Sequence, residues 1–385
     1  MTKTIKLALV AAMALGATSA FATNGSTMIA TGAKSTGMAG IGIGMSHGAE
    51  SALVNPALIT SVENTEVSFG GTFFMPVVSQ DMGAGEADSD ADLSVIPTVA
   101  LATKVTDNFY AGVGMWGTAG MGVDYRDDTT TGSYQMVTNL QLMQFGVPLA
   151  YKINGFSVAV TPLLQYGSLD ISYNSSTRAS QGVAQDLQFG YNLGMSYVVS
   201  GVTIGATYKS EIEMDYGNQL SSTNTDFFLD LSDKLSTPAE MGIGVSYKIA
   251  EHTIALDYKQ IKWSTASGYE DFAWEDQSVV VIGYEYASTG WAARVGYNYA
   301  PSPISEQTSG GLDYSINTLN LLGFPAIVET HFAIGGTYDI SEKASVDLAY
   351  VYTPETSETY ATSAGTSITT THSQSSVSAQ LNYAF

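Results

Sequence analysis

The chain has 385 residues, 45% of them hydrophobic and only 13% charged, with a formal net charge of −22. That acidity argues against nucleic acid as a partner, because phosphate binding needs clustered Lys and Arg. The absence of cysteine leaves neither a disulfide scaffold nor a thiol nucleophile.

Residues 1–22 read as an export signal. Lys3 and Lys6 form a positive start, Leu7 to Leu15 a short apolar run, and Ala20-Phe21-Ala22 a small-residue cleavage site. The apolar run is too short to span a bilayer. Cleavage before Thr23 takes Lys+Arg from 14 to 12 against 36 acids, a net charge of −24. No later stretch reaches the roughly 18 unbroken apolar residues of a membrane helix. An apolar chain without a helical span is reconciled by strands that alternate between lipid and lumen, since only helices and closed barrels satisfy every backbone group in hydrocarbon.

Residues 23–64 have a different texture. TGAKSTGMAGIGIGMSHG, from Thr31 to Gly48, is small and glycine-rich, and Asn55-Pro56-Ala57 follows a short helix-like stretch. Gly40-Ile41-Gly42-Ile43-Gly44 follows no strand and lacks GK[ST], so it is no phosphate loop.

From residue 65 to 385 one unit recurs: an alternating run, a tight turn, a second run, a long polar loop. Leu187-Phe189-Tyr191-Leu193-Met195-Tyr197 against Gln188-Gly190-Asn192-Gly194-Ser196 is one such run. The pattern predicts strands near 65–78, 92–104, 108–118, 135–151, 156–172, 186–199 and 202–213. A second set falls near 239–249, 251–263, 276–287, 290–300, 329–340, 343–353 and 374–385. Fourteen is an even number, as bacterial barrels require. Thr106-Asp107, Asn154-Gly155, Ser200-Gly201, Thr289-Gly290 and Ser341-Glu342 are tight turns, placed on the periplasmic side. Long outer loops are predicted at 79–91, 119–134, 173–185, 214–238, 264–275, 301–328 and 354–373. The fold class expected is an all-β, 14-stranded antiparallel transmembrane barrel in the outer membrane of a Gram-negative cell. A barrel of about eight strands is filled by side chains and one of about 16–18 holds an aqueous channel. Residues 23–64 are the right size to plug the bore in between.

At these residues the sequence resembles the FadL-type outer-membrane transporters of long-chain fatty acids and aromatic hydrocarbons such as toluene. The resemblance covers nearly the whole mature chain. It rests on the glycine-rich segment ending in Asn55-Pro56-Ala57, on Pro238-Ala239-Glu240, and on Trp274 and Gln277 before Val279–Tyr286. Arg294-Val295-Gly296-Tyr297-Asn298-Tyr299, then Pro301 and Pro303, and Val328-Glu329-Thr330-His331 complete the set. The resemblance implies an N-terminal hatch with the motif Asn55, Pro56 and Ala57. It also implies a hydrophobic ligand and a kink in the third strand that opens toward the membrane lipid. Gly112, Gly114 and Gly117, beside Met115 and Trp116, suit such a kink, which is expected to face the hatch near Asn55.

Two outer loops carry unexpected apolar residues: Phe227, Phe228, Leu229 and Leu231, and Leu319, Leu321, Leu322 and Phe324. They suggest a ligand groove; the plain alternative is that they pack together as a cap. Lys209, Lys248, Lys259 and Arg294 fall on the lumen side by parity and are candidates to hold a carboxylate, or merely to pair with a lumenal acid such as Asp257. Asp88, Asp90 and Asp92 read as a solvated loop rather than a calcium site. His47, His252, His331 and His372 show no metal spacing. No catalytic constellation, cofactor or metal is indicated, and a monomer is expected. The competing readings are a general diffusion porin for small polar solutes and a lipid-active outer-membrane enzyme.

Overall fold

The computed structural model describes residues 23–129, 131–175, 178–362 and 365–385; the export signal read at 1–22 lies outside them. Fourteen strands form the wall. The first seven are β1 (Thr65–Asp81), β2 (Ser94–Lys104), β3 (Phe109–Asp124), β4 in two pieces (Val137–Gly146 and Leu149–Ile153), β5 (Phe156–Asn174), β6 (Ala184–Val199) and β7 (Val202–Lys209). The rest are β8 (Glu240–Ile249), β9 (His252–Ile261), β10 (Gln277–Ser288), β11 (Trp291–Tyr299), β12 (Thr330–Asp339), β13 (Ala344–Ala361) and β14 (Ser367–Ala384). Neighbours in sequence pair antiparallel, and β14 pairs with β1 from Ala384↔Glu66 to Thr369↔Asp81, which closes the barrel.

Alternation decides which face is which. On β6, Leu187, Phe189, Tyr191, Leu193, Met195 and Tyr197 are all exposed, while Asn192 and Ser196 between them are buried. An apolar face turned outward and a polar one turned inward is the arrangement of a wall between lipid and lumen. The tight turns follow from backbone chirality: Asn154-Gly155 and Ser200-Gly201 take φ of 50 and 83° and of 48 and 82°, the doubly positive pair that suits two-residue hairpins.

Several outer boundaries differ from the sequence reading. The predicted loop 354–373 is largely strand, since β13 runs on to Ala361 and β14 starts at Ser367. Likewise β3 reaches Asp124, and Glu86–Asp88 forms a short strand on Ser79–Asp81. Beyond the lipid the outward positions are Ser357, Thr359, Thr369 and Thr371, so hydrophobic alternation fades while the ladder continues.

Residues 23–62 run against inward groups all round the wall. They contain a hairpin (Thr23–Asn24 with Thr27–Met28), a helical turn Ala33–Thr36, and two 3-10 helices, Gly48–Leu53 and Pro56–Ser61. Asn192 of β6 donates to Val54 O, Ser246 of β8 to Gly44 O, and Asn298 of β11 to Ala39 O. Asp257 of β9 accepts from the backbone N–H groups of Gly42, Ile43 and Gly44 at 2.8, 2.8 and 3.1 Å. Inward glycines make room for this chain: a Cβ on Gly205 would stand 1.8 Å from Ile43 O, and one on Gly296 2.2 Å from Met38 C.

Candidate functional site

The wall is incomplete between β2 and β3. Their ladder runs from Lys104↔Tyr110 to Thr98↔Trp116 and stops there. One residue earlier in β2 stands Pro97, which has no N–H to donate. Ser94–Pro97 stay paired to β1, as Phe74↔Ser94 and Gly71↔Pro97. Across β3 the register to β4 shifts between Gly117 and Ala119. The extra residue, Thr118, bends the strand as a β-bulge does.

The freed edge of β3 is taken by the N-terminal segment. Thr27 pairs with Ala119, and Gly120 N–H donates to Ser26 O at 3.0 Å. On the other lip, Met28 packs against buried Phe74 of β1 and Ile96 of β2. Residues 26–28 therefore touch both sides of the seam. Above them lies an aromatic roof. Ser26 Oγ is 2.8 Å from Tyr269 OH, and Gly25 (φ 65°) sits where a Cβ would be 2.5 Å from the Trp263 ring. Trp263, Tyr269 and Trp274 meet ring to ring at 4.5 to 5.0 Å, and Phe272 stacks on Phe324.

This geometry moves the expected kink. Gly112 and Gly114 lie within the regular β2–β3 ladder; only Trp116 and Gly117 border the irregularity. Trp116 is buried on the lumen side and Met115 half-buried on the lipid side. Nor does the bend face Asn55. Asn55 caps the helix Pro56–Ser61, accepting from Ala57 N–H at 3.1 Å, and donates to Ile43 O (2.8 Å) and to Met195 O of β6 (3.1 Å). Its place is on the β6–β7 side, with Pro56 and Asn55 against Gly194.

The apolar loop residues lie mostly inside the molecule. Phe227, Leu229, Leu231, Leu319, Leu321, Leu322 and Phe324 are each less than 9% exposed, and Phe228 alone of the set points out, at 73%. The reason is local. The helix α1 (Leu312–Gly323) lays its leucines on the outer reach of β13 and β14, with Leu321 O accepting from Thr370 Oγ1. Phe227 packs edge-on against Tyr134 and Tyr173. These residues build the cap.

Beside the seam is a small cavity of about 50 Å³, lined by Thr27, Met28, Thr118, Gln144, Leu163, Lys209, Glu240, Asp257 and Lys259 among others. It has room for a few waters and none for a hydrocarbon chain. Lys209 Nζ and Lys259 Nζ both stand 3.5 Å from the Glu240 carboxylate. A second cavity of about 400 Å³ lies toward the periplasmic turns, with Lys34, His47, Glu66, Glu285, Arg294 and Asp339 in its walls. Here Arg294 is held by Glu285 at 2.7 Å and by Thr337 Oγ1 at 2.7 Å, with Asp347 3.9 Å away. Lys248 lines neither cavity: it is exposed near the end of β8. Sequence parity placed all four cations inward but could not show their pairing.

Two ionisable groups of the N-terminal segment are buried. His47 is pushed down to about 3 by burial, so it is neutral and its Nε2–H donates to Ile41 O. Burial raises the Glu50 carboxyl to about 7, although Lys34 and the Ser35 N–H favour its charged form. Glu50 links that segment to β14 by accepting from Gln380 Nε2 at 2.9 Å.

The inward glycines and residues 26–28 were not singled out from sequence; glycine recurring mid-strand at lumen parity was the available signal. A long-chain fatty acid transport protein of Escherichia coli strain K12 is 21% identical over 390 residues, covering 81% of this chain and 85% of that protein. The crystal structure of a Pseudomonas aeruginosa FadL homologue matches with a TM-score of 0.72 at 14% identity, covering 93% of this chain and 99% of the other. That of the P. putida toluene transporter TodX matches at 0.68 and 17%, with the same coverage. The family described as outer membrane protein transport protein (OMPP1/FadL/TodX) matches residues 10–385, and the chain, a closed 14-stranded outer-membrane barrel, belongs to it.

Proposed function

We propose that this protein is a passive channel for hydrophobic molecules, long-chain fatty acids or related lipophiles, which leave sideways between β2 and β3. In this reading residues 23–64 act as the hatch and Asn55-Pro56-Ala57 fixes its fold, within a single-chain channel. The observation that carries it is the seam. A ladder that ends at Thr98↔Trp116 leaves an interval bridged by residues 26–28, and its lips are apolar: Phe74, Ile96, Met28 and Trp116. Elsewhere the inward wall mixes such apolar groups with buried polar ones, among them Gln144, Gln165, Asn192, Lys259 and Gln277. Each CH₂ is worth roughly 0.8 kcal/mol over water, so a twelve-carbon chain released axially into the periplasm would forgo on the order of 10 kcal/mol. Lateral release avoids that loss. The names of the E. coli and P. putida relatives agree with such cargo.

The absence of cysteine makes a direct test available. Thr27→Cys with Ala119→Cys places two thiols on directly paired residues, a separation that suits a disulfide. Oxidation should stop uptake of a hydrophobic tracer, and reduction should restore it. Unchanged uptake by the fully cross-linked protein would remove the lateral route.

A further inference from the structure

We propose that the cargo is uncharged, a neutral lipophile rather than a carboxylate; the inference rests on the hydrophobic-channel reading and narrows it. Two observations carry it, one on the outer face and one in the lumen.

The outer face is acidic and its cations are already engaged. The stretches 81–92, 211–233 and 270–276 contain acids and no Lys or Arg. Arg126 is paired with Asp124 at 2.7 Å, Lys234 with Glu213 at 2.6 Å and Lys262 with Asp276 at 2.8 Å. Arg178 donates to Gln135 O and Ser172 Oγ. A surface potential of a few kT depletes a monovalent anion at the mouth by roughly tenfold and leaves a neutral molecule unaffected.

The lumen offers no compensating surplus. Lys209 and Lys259 share one cavity with Glu240 and Asp257, two cations against two carboxylates, and both ammonium groups already turn to Glu240. Arg294 stands between Glu285 and Asp347. An incoming carboxylate would have to displace a lumenal acid from its partner and leave that acid buried and unpaired, a costly exchange. A neutral molecule requires no such displacement.

The test uses cells lacking their own hydrophobic-uptake protein, with and without the full-length chain, supplied with labelled dodecanol or dodecanoate. At external pH 7.5 the chain should raise dodecanol uptake at least tenfold more than dodecanoate uptake. At pH 4.5, where about half of a carboxylic acid is neutral, the dodecanoate-to-dodecanol ratio should rise at least fivefold. Glu240→Gln frees Lys209 and Lys259 and should raise the ratio at pH 7.5 by a similar factor, with heat-modifiable mobility reporting that the variant is folded. A wild-type ratio at pH 7.5 within twofold of unity, or one unmoved at pH 4.5, overturns the inference and leaves the channel reading standing. Failure of both compounds to enter overturns the channel reading, and this inference with it.

Discussion

Gly205 of β7 lies so close to Ile43 that a Cβ on the glycine would stand 1.8 Å from the Ile43 carbonyl oxygen. The oxygen belongs to backbone, so no side-chain rotation relieves the clash. Gly205→Val should therefore leave the barrel folded and unseat the N-terminal segment on that side. Single-channel current in planar bilayers is expected to rise several-fold over wild type. A current equal to wild type would mean that the segment is not what limits ion flow.

Asp257 holds the neighbouring stretch by three backbone N–H groups. Hydrogen bonds to a charged acceptor contribute about 1.5–3 kcal/mol each, and an amide oxygen keeps only part of that. Asp257→Asn should loosen the loop by roughly 2–3 kcal/mol. Amide exchange at Gly42–Gly44 should then accelerate about 30- to 150-fold, while exchange in β13 and β14 stays as it was. Uniform acceleration through the barrel would instead point to global destabilisation.

The bend of β3 resides in one extra residue. Removing Thr118 should bring Gly117 and Ala119 into continuous register with β4 and straighten the strand. Tracer uptake is expected to fall at least tenfold with heat-modifiable mobility intact. Gly112→Val with Gly114→Val is a poorer probe, because a Cβ on Gly112 would meet Leu101 O at 2.3 Å; that pair should cost folded yield. Normal uptake by the folded Thr118 deletion would detach the bulge from transport.

Glu50 gives the seat of the N-terminal segment a pH dependence. Its carboxyl is raised by burial to about 7 from an ordinary 4.5, so the seated form binds the proton more tightly than a released, solvated one. Protonation thus favours seating. That contribution is fully present below about pH 4.5 and is lost as pH rises through 7. Limited proteolysis of residues 23–62 should be slowest near pH 5 and faster at pH 8. Glu50→Gln should flatten the profile, and a profile with the opposite slope would contradict the assignment.

The strand count, the turns and the inward or outward parity were legible in the sequence because a period of two against lipid leaves an unbroken signature, as on β6. The outer reach of β13 and β14 was not, because Ser357, Thr359 and Thr371 have no apolar side to alternate with. Glycines near Trp116 pointed to the right strand for the bend, yet its position depends on where the partner strand runs out of N–H donors at Pro97, which is a relationship between strands. The apolar loop residues were legible as a cluster, and whether they faced water or one another was decided by α1 finding a strand extension to lie on. Pairing of Lys209 and Lys259 with Glu240 likewise needs three strands side by side.

The hydrogen bond from Ala33 N–H to Gln380 Oε1 joins residues 347 positions apart. Ala33 leaves the export machinery early, and its partner belongs to the last strand, the one that also closes the barrel on β1. That contact cannot form until the whole wall has been synthesised, with loop closure spanning nearly the entire chain. Assembly of this protein ends where its sequence begins. A folding assay that follows residues 23–62 separately from barrel closure should see them become protected together with β14, or after it.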